Sequence, residues 1–144
     1  MKMSDYAFIK LKEFEGFRAE AYQCPGGVWT IGYGHTKGVK KGQRITEEEA
    51  SRLLVKDVRS FEEFLSKEPY ADKLTQSQWD ALTDFLFNLG QGNYLSSTLR
   101  KKILRNIDDP TIPAEFRRWN KSKGKVLPGL VKRREWEAQM FQWE

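Results

Sequence analysis

Residues 13–36 read EFEGFRAEAYQCPGGVWTIGYGHT, and the fold turns on how this stretch is read. Upstream of it, Ser4 or Asp5 can cap a helix whose Ala7, Phe8, Leu11 and Phe14 recur at helical spacing. That places Glu15 at a helix end, which Gly16 loosens. Downstream, Val28, Trp29, Ile31 and Tyr33 interleave with Gly26, Gly27, Gly32 and Gly34. Alternating apolar residues bounded by a glycine pair predict a small antiparallel hairpin. A helix end facing a hairpin makes a corner at which one acid can be aimed at a substrate. Thr30 and the chain's only histidine, His35, lie in the same stretch.

Further along, residues 37–44 read as loop or short strand. Thr46-Glu47-Glu48-Glu49 is a capping box with three acids in the first turn of a long helix. Its stripe of Leu53, Leu54, Val58, Phe61, Phe64 and Leu65 runs to Lys67, and Pro69 stops it. This helix is long enough to join two lobes. A second capping box, Thr75 to Gln78, opens a nearly all-apolar helix that Gly90 should terminate and that should form the core of the larger lobe. Residues 91–94 are expected to be loop. Ser96 or Ser97 then caps a helix through Leu99, Ile103 and Leu104, which Asp108-Asp109-Pro110 breaks. A short helix near Ala114–Trp119 precedes a basic loop, residues 120–125. Pro128 begins a last helix with Leu130, Val131, Trp136, Met140 and Phe141 inward. The expected class is α+β, mostly helical with a small N-terminal β piece. Residues 1–144 are read as one domain, with lobes of roughly 12–60 and 61–144 plus the N-terminal helix.

The formal charge of +5 gives a general attraction to polyanions. A nucleic-acid-binding role is disfavoured: no recognition motif is present, and the tryptophans follow helical core patterns rather than a stacking platform. One cysteine, Cys24, excludes an intramolecular disulfide and favours synthesis in a reducing cytoplasm. One Cys and one His cannot supply a usual zinc set, so neither a metal nor another cofactor is expected. No apolar run is long enough to span a membrane, and MKMSDYAFIKLKEF lacks the apolar core of a signal peptide. Delivery outside the cytoplasm would then need a separate device.

The stretch from Glu13 to Thr36 resembles the active-site segment of phage-type lysozymes, glycoside hydrolase family 24. The family pattern is Glu, eight residues, Asp or Cys, five residues, Thr; here it is Glu15, Cys24 and Thr30 with both spacings intact. Residues 79–99, WDALTDFLFNLGQGNYLSSTL, and 116–137, FRRWNKSKGKVLPGLVKRREWE, resemble the same family in the same order.

The resemblance implies a lysozyme-like fold, with a hairpin lobe joined by a long helix to a helical C-terminal lobe. It implies an inverting muramidase that cuts the β-1,4 bond between N-acetylmuramic acid and N-acetylglucosamine in peptidoglycan, lysing the wall. Glu15 would protonate the leaving oxygen, and Phe14 and Phe17 beside it suit an acid that must keep its proton. Thr30 would hold the attacking water, since a hydroxyl donates and accepts at once. Aspartate is the commoner residue at the place of Cys24, which is left as base, nucleophile, water-orienter or small buried hydrophobe. A structural ion pair between His35 and Asp57 is implied, and a contact from Arg133 or Arg134 to Glu13 or Glu15. Gln91, Gly92, Ser97, Trp119 and Asn120 are candidate sugar contacts, and Lys121 to Lys125 would suit acidic peptide stems. The enzyme would act as a monomer, made in a bacterial host's cytoplasm and released to the wall by a holin or a secretion device.

Overall fold

The computed structural model describes residues 1–143. The described residues form six helices and two small two-stranded sheets in two compact units. One unit is Phe8–Ser60; the other is Met1–Ala7 with the chain from Phe61 onward.

In the first unit, α1 (Asp5–Glu15) begins one turn earlier, in the other unit, and runs to the glutamate. Ser4 caps it, its Oγ accepting from the Ala7 N–H at 3.2 Å. Strands β1 (Arg18–Gln23) and β2 (Trp29–Gly32) form the expected hairpin, pairing Tyr22 with Thr30 and Gln23 with Trp29. The register shifts between Arg18 and Tyr22, where β1 turns to a third segment. There the Ala21 N–H donates to the Gln43 carbonyl and the Ile45 N–H to the Ala19 carbonyl, both at 2.9 Å. Gly32 has a φ of +66°, and a Cβ on it would sit 3.0 Å from Ala50 Cβ and 3.1 Å from Ile45 Cδ1. Only glycine lets the hairpin close on the next helix there. That helix, α2 (Glu47–Ser66), carries the Thr46–Glu49 capping box in full.

The second unit packs around α3 (Gln76–Ser96), whose Thr75–Gln78 box is formed. Phe85 is the hub: the rings of Tyr94, Phe116 and Trp119 meet it edge-on at 6.0, 5.7 and 5.8 Å. Gly90 does interrupt α3, with φ 86° and ψ 162°, but the expected loop at 91–94 is a resumed helical turn. The reason is Tyr94, fully buried against Phe64 and Phe85, with its hydroxyl bonded to that of Tyr70. Helix α4 (Thr98–Arg105) starts from Ser97, and α5 (Ile112–Arg117) follows.

Two further expectations are corrected. The basic loop at 120–125 is a second hairpin, β3 (Lys121–Ser122) with β4 (Lys125–Val126). Lys123 and Gly124 both take positive φ, 51° and 78°, as the centre of a primed hairpin turn requires. The last helix, α6 (Pro128–Gln142), leaves Val131 exposed and instead buries Arg133, Arg134 and Glu137 beside Ala138 and Phe141. An apolar count could not locate that face, because three of its five buried side chains are ionisable.

Candidate active site

Building the hairpin corner starts from Lys12, one turn before Glu15 on α1. Its Nζ donates to Ser51 Oγ at 2.8 Å and lies 3.5 Å from Glu47 Oε2. Glu47 Oε2 also accepts from the Tyr33 hydroxyl at 2.8 Å and from Ser51 Oγ at 2.6 Å. One carboxylate therefore ties the end of α1, the end of the hairpin and the start of α2. The bonds from Ser51 and Tyr33, then the charge of Lys12, hold the Glu47 carboxyl below its usual range. Burial and the Glu47 carboxylate push the Tyr33 phenol up to about 12. Phe17 packs its ring on Tyr33 at 5.7 Å. Sequence reading did not single out Lys12, Tyr33, Glu47 or Ser51. Their one signal was Glu47 in the first turn of α2, where a capping role explained it.

Glu15 is half-buried as the last residue of α1. Cys24, also half-buried, sits in the hairpin turn, its N–H donating to the Val28 carbonyl at 3.0 Å. The Val28 and Gly26 N–H groups and the Thr30 hydroxyl turn towards its sulfur, and these donors lower the thiol's pKa from the ordinary 9.0. Thr30 is 5 % exposed, and its Oγ1 donates to the Val28 carbonyl at 3.0 Å. The Cys24 N–H and the Thr30 hydroxyl thus donate to the same Val28 carbonyl, which holds the two residues together at one tight turn. His35 Nδ1 lies 2.7 Å from Asp57 Oδ2, and its Nε2 lies 2.9 Å from the Lys37 carbonyl. Both ring nitrogens thus have partners within the protein.

The remaining candidates belong to the second unit. Gln91 and Gly92 are exposed on the resumed turn of α3. Ser97 is buried; its hydroxyl donates to the Tyr94 carbonyl at 2.6 Å and accepts from the Arg100 N–H at 3.1 Å. Its hydroxyl is spent capping α4, so a sugar has no access to it. Trp119 is half-buried against Phe85, and Asn120 accepts from the Leu127 N–H at 3.1 Å at the foot of the second hairpin. Among the described residues no cluster of His, Cys, Asp and Glu has the makings of a metal site.

Arg133 and Arg134 are not mere surface charge. The Arg133 guanidinium grips Asp84 on α3 with two bonds, Nε to Oδ2 at 3.0 Å and Nη2 to Oδ1 at 2.9 Å. Arg134 Nε lies 2.7 Å from Glu137 Oε1, and its guanidinium covers the Phe85 ring at 5.4 Å. Burial alone would raise Asp84, yet the Arg133 charge wins and holds its carboxyl low. Burial, with Asp84 beside it, pushes Glu137 well above the usual carboxylate range. The charged form is therefore favoured at Asp84 and disfavoured at Glu137.

A helix ending in a glutamate, a glycine-rich hairpin and a helical unit built on one long apolar helix define a lysozyme-like α+β protein. The phage lysozyme family model matches residues 12–137, and the chain belongs to that family. It is 40% identical over 147 residues to the endolysin of Acyrthosiphon pisum secondary endosymbiont phage 1, covering 99% of each chain. The endolysin of Salmonella phage P22 is 34% identical over 147 residues, with 98% of each chain covered. The solved muramidase domain of SpmX from Asticaccaulis excentricus superposes with a TM-score of 0.83 at 32% identity, over 99% of each chain.

Proposed function

We propose that this protein is a muramidase that hydrolyses the β-1,4 bond between N-acetylmuramic acid and N-acetylglucosamine in peptidoglycan. The observation that carries the reading is the Val28 carbonyl shared by Cys24 and Thr30 in the hairpin that follows Glu15, inside the segment matched by the family model. Glu15 gives its proton to the leaving glycosidic oxygen. Water enters on the opposite face of the sugar, its oxygen bonding to the anomeric carbon while its proton passes to the protein.

Cys24 and Thr30 together receive that water. The Thr30 hydroxyl has one proton and two acceptors within reach, the Val28 carbonyl and the Cys24 sulfur. With the thiol neutral the proton stays on the carbonyl bond; with the thiolate formed it swings to sulfur. The thiolate, held by the amides of Gly26 and Val28, is the base that takes the water's proton, and the Thr30 oxygen orients the water. His35 and Asp57 act as a structural pair that braces the loop after the hairpin. Gln91, Gly92, Trp119 and Asn120 contact the glycan, and the lysines of the second hairpin meet acidic stem peptides. Among the described residues no helix is long and apolar enough to cross a membrane. The protein works as a monomer released to the wall by a holin or a secretion device.

Product analysis on purified peptidoglycan tests the reading. Wild type should release reducing muramic ends, and Glu15→Gln should release none above background. Anhydro-muramic ends would instead make the protein a lytic transglycosylase, and undiminished release by Glu15→Gln would sink the assignment of the acid.

A further inference from the structure

Two depressions in the second unit share Ile107 and Asp108 in their walls. The larger, about 530 Å³, has Asp108 and Asp109 on its wall, an apolar floor of Pro113 and Phe141, and no basic side chain. Trp143 stands at it 69% exposed, and the Gln142 amide lies beside it. Asp109 uses one oxygen, Oδ1, for the Thr111 N–H and hydroxyl, at 2.8 and 2.7 Å. The smaller depression, about 410 Å³, is the reverse in charge, with Lys73 and Arg105 exposed on its wall and Asp108 its only acid.

On a chain with a net charge of +5, a depression lined by two carboxylates and an open indole stands out. An indole face beside carboxylates is the chemistry that holds an ammonium group. The basic depression, one residue's width away across Asp108, is the chemistry that holds a carboxylate. Both volumes lie in the range of small-ligand sites. We propose that the two depressions form a single binding site for a short zwitterionic peptide. Its ammonium group lies over Trp143 between Asp108 and Asp109, and its carboxylate reaches Lys73 and Arg105. None of these residues belongs to the proposed catalytic set. Resting on the muramidase reading, the natural occupant is a peptidoglycan stem peptide, whose diamino acid carries a free amine and a carboxylate. The site would keep the enzyme on the wall between cuts.

The probe is the stem tetrapeptide N-acetyl-L-alanyl-γ-D-glutamyl-meso-diaminopimelyl-D-alanine, whose one free amine is that of the diamino acid, titrated into ¹⁵N-labelled protein and followed by amide and indole resonances. The expected result is saturable shifts at the Trp143 indole and at Ile107 and Asp108, with binding weakened about tenfold by Asp108→Asn, Trp143→Ala or Lys73→Gln. Acetylating the diamino acid's free amine should weaken binding at least as much. Absence of shifts at these residues up to about 10 mM peptide would overturn the site. So would equal shifts with the peptide acetylated on the diamino acid. The peptide has no glycosidic bond, so the outcome is independent of hydrolysis. Binding by a protein that releases no reducing ends would keep this site and sink the muramidase reading, and hydrolysis without binding would do the reverse.

Discussion

The corner around Glu47 and the cluster around Asp84 are both networks of ionisable side chains, and water makes them opposites. Around Glu47 the partners Lys12, Ser51 and Tyr33 meet a side chain that is half in solvent. Water screens such contacts, and the network serves to aim α1 at the hairpin rather than to hold the fold. Around Asp84 the side chains of Arg133, Arg134 and Glu137 are essentially without solvent. Each charge there depends on the others, because an unpaired one would keep its full desolvation cost. The same residue types thus act as a positioning device in one place and as an interlocked core in the other.

The sharpest division between chemistry and stability should appear at Glu15. Glu15→Gln should lower the rate of release of reducing ends by about 10²–10⁴-fold, the range for loss of a general acid, with the melting temperature little changed. Next in size, Asp84→Ala should destabilise the fold by about 3–5 kcal/mol, because it strands Arg133 without its bidentate partner. Urea denaturation measures it. A loss under about 1 kcal/mol would break the contrast, since the buried cluster would then behave like a surface pair. Converting the set to Asp84→Leu with Arg133→Met should recover much of the loss, since apolar side chains of similar bulk replace buried ion pairs at little cost.

The two regions also differ in how far the sequence discloses them. The corner was legible because its signals are local. A serine cap, a glutamate at a helix end, a glycine pair between alternating apolar residues and a threonine three residues before a glutamate are each read within a few positions. The spacing of Glu15, Cys24 and Thr30 lies inside one such stretch. The cluster was illegible because Asp84 and Arg133 are 49 residues apart and meet only when α3 and α6 pack. Helical periodicity counts apolar residues, so it placed Val131 inward, where it is exposed, and gave no sign that Arg133 is buried. The second hairpin escaped for a related reason: its turn puts a lysine, Lys123, in a left-handed conformation that lysine seldom adopts. At the corner itself, the missed residues were those with two roles, Glu47 above all.

Cys24 sharpens the comparison from within the corner. The donors from Val28, Gly26 and Thr30 favour its thiolate, so alkylation by iodoacetamide should rise with pH and reach half-maximum below 9.0. Activity should fall on the acid side of the same inflection, since protonating the thiolate removes the proposed base. Thr30→Val should move the inflection up, and Cys24→Ser should lose about tenfold or more in rate with no comparable loss of stability. A half-maximum at or above 9.0 would return Cys24 to the role of a small, half-buried spacer.

The smallest expected effect tests whether the Glu47 network positions or stabilises. Tyr33→Phe removes one hydrogen bond to a part-exposed carboxylate and keeps the ring that packs on Phe17, a loss of about 1 kcal/mol. The pH dependence carries more information than the size. Folding raises the Tyr33 phenol from 10.0 to about 12, so the folded state holds that proton more tightly than the unfolded chain does. Its contribution is therefore complete below pH 10 and is lost as pH rises towards 12, where the unfolded chain has already ionised. Wild type should lose stability across that window more steeply than Tyr33→Phe, whose curve lacks this one group. Parallel curves would mean that Tyr33 ionises as freely in the fold as outside it, and that Glu47 does not hold the end of the hairpin. The reading of the corner as a positioning device further requires that Tyr33→Phe lower the rate of wall hydrolysis by more than its small stability loss removes folded protein. At neutral pH and 25 °C that loss leaves nearly all molecules folded, so any slower turnover reports misaimed catalytic groups.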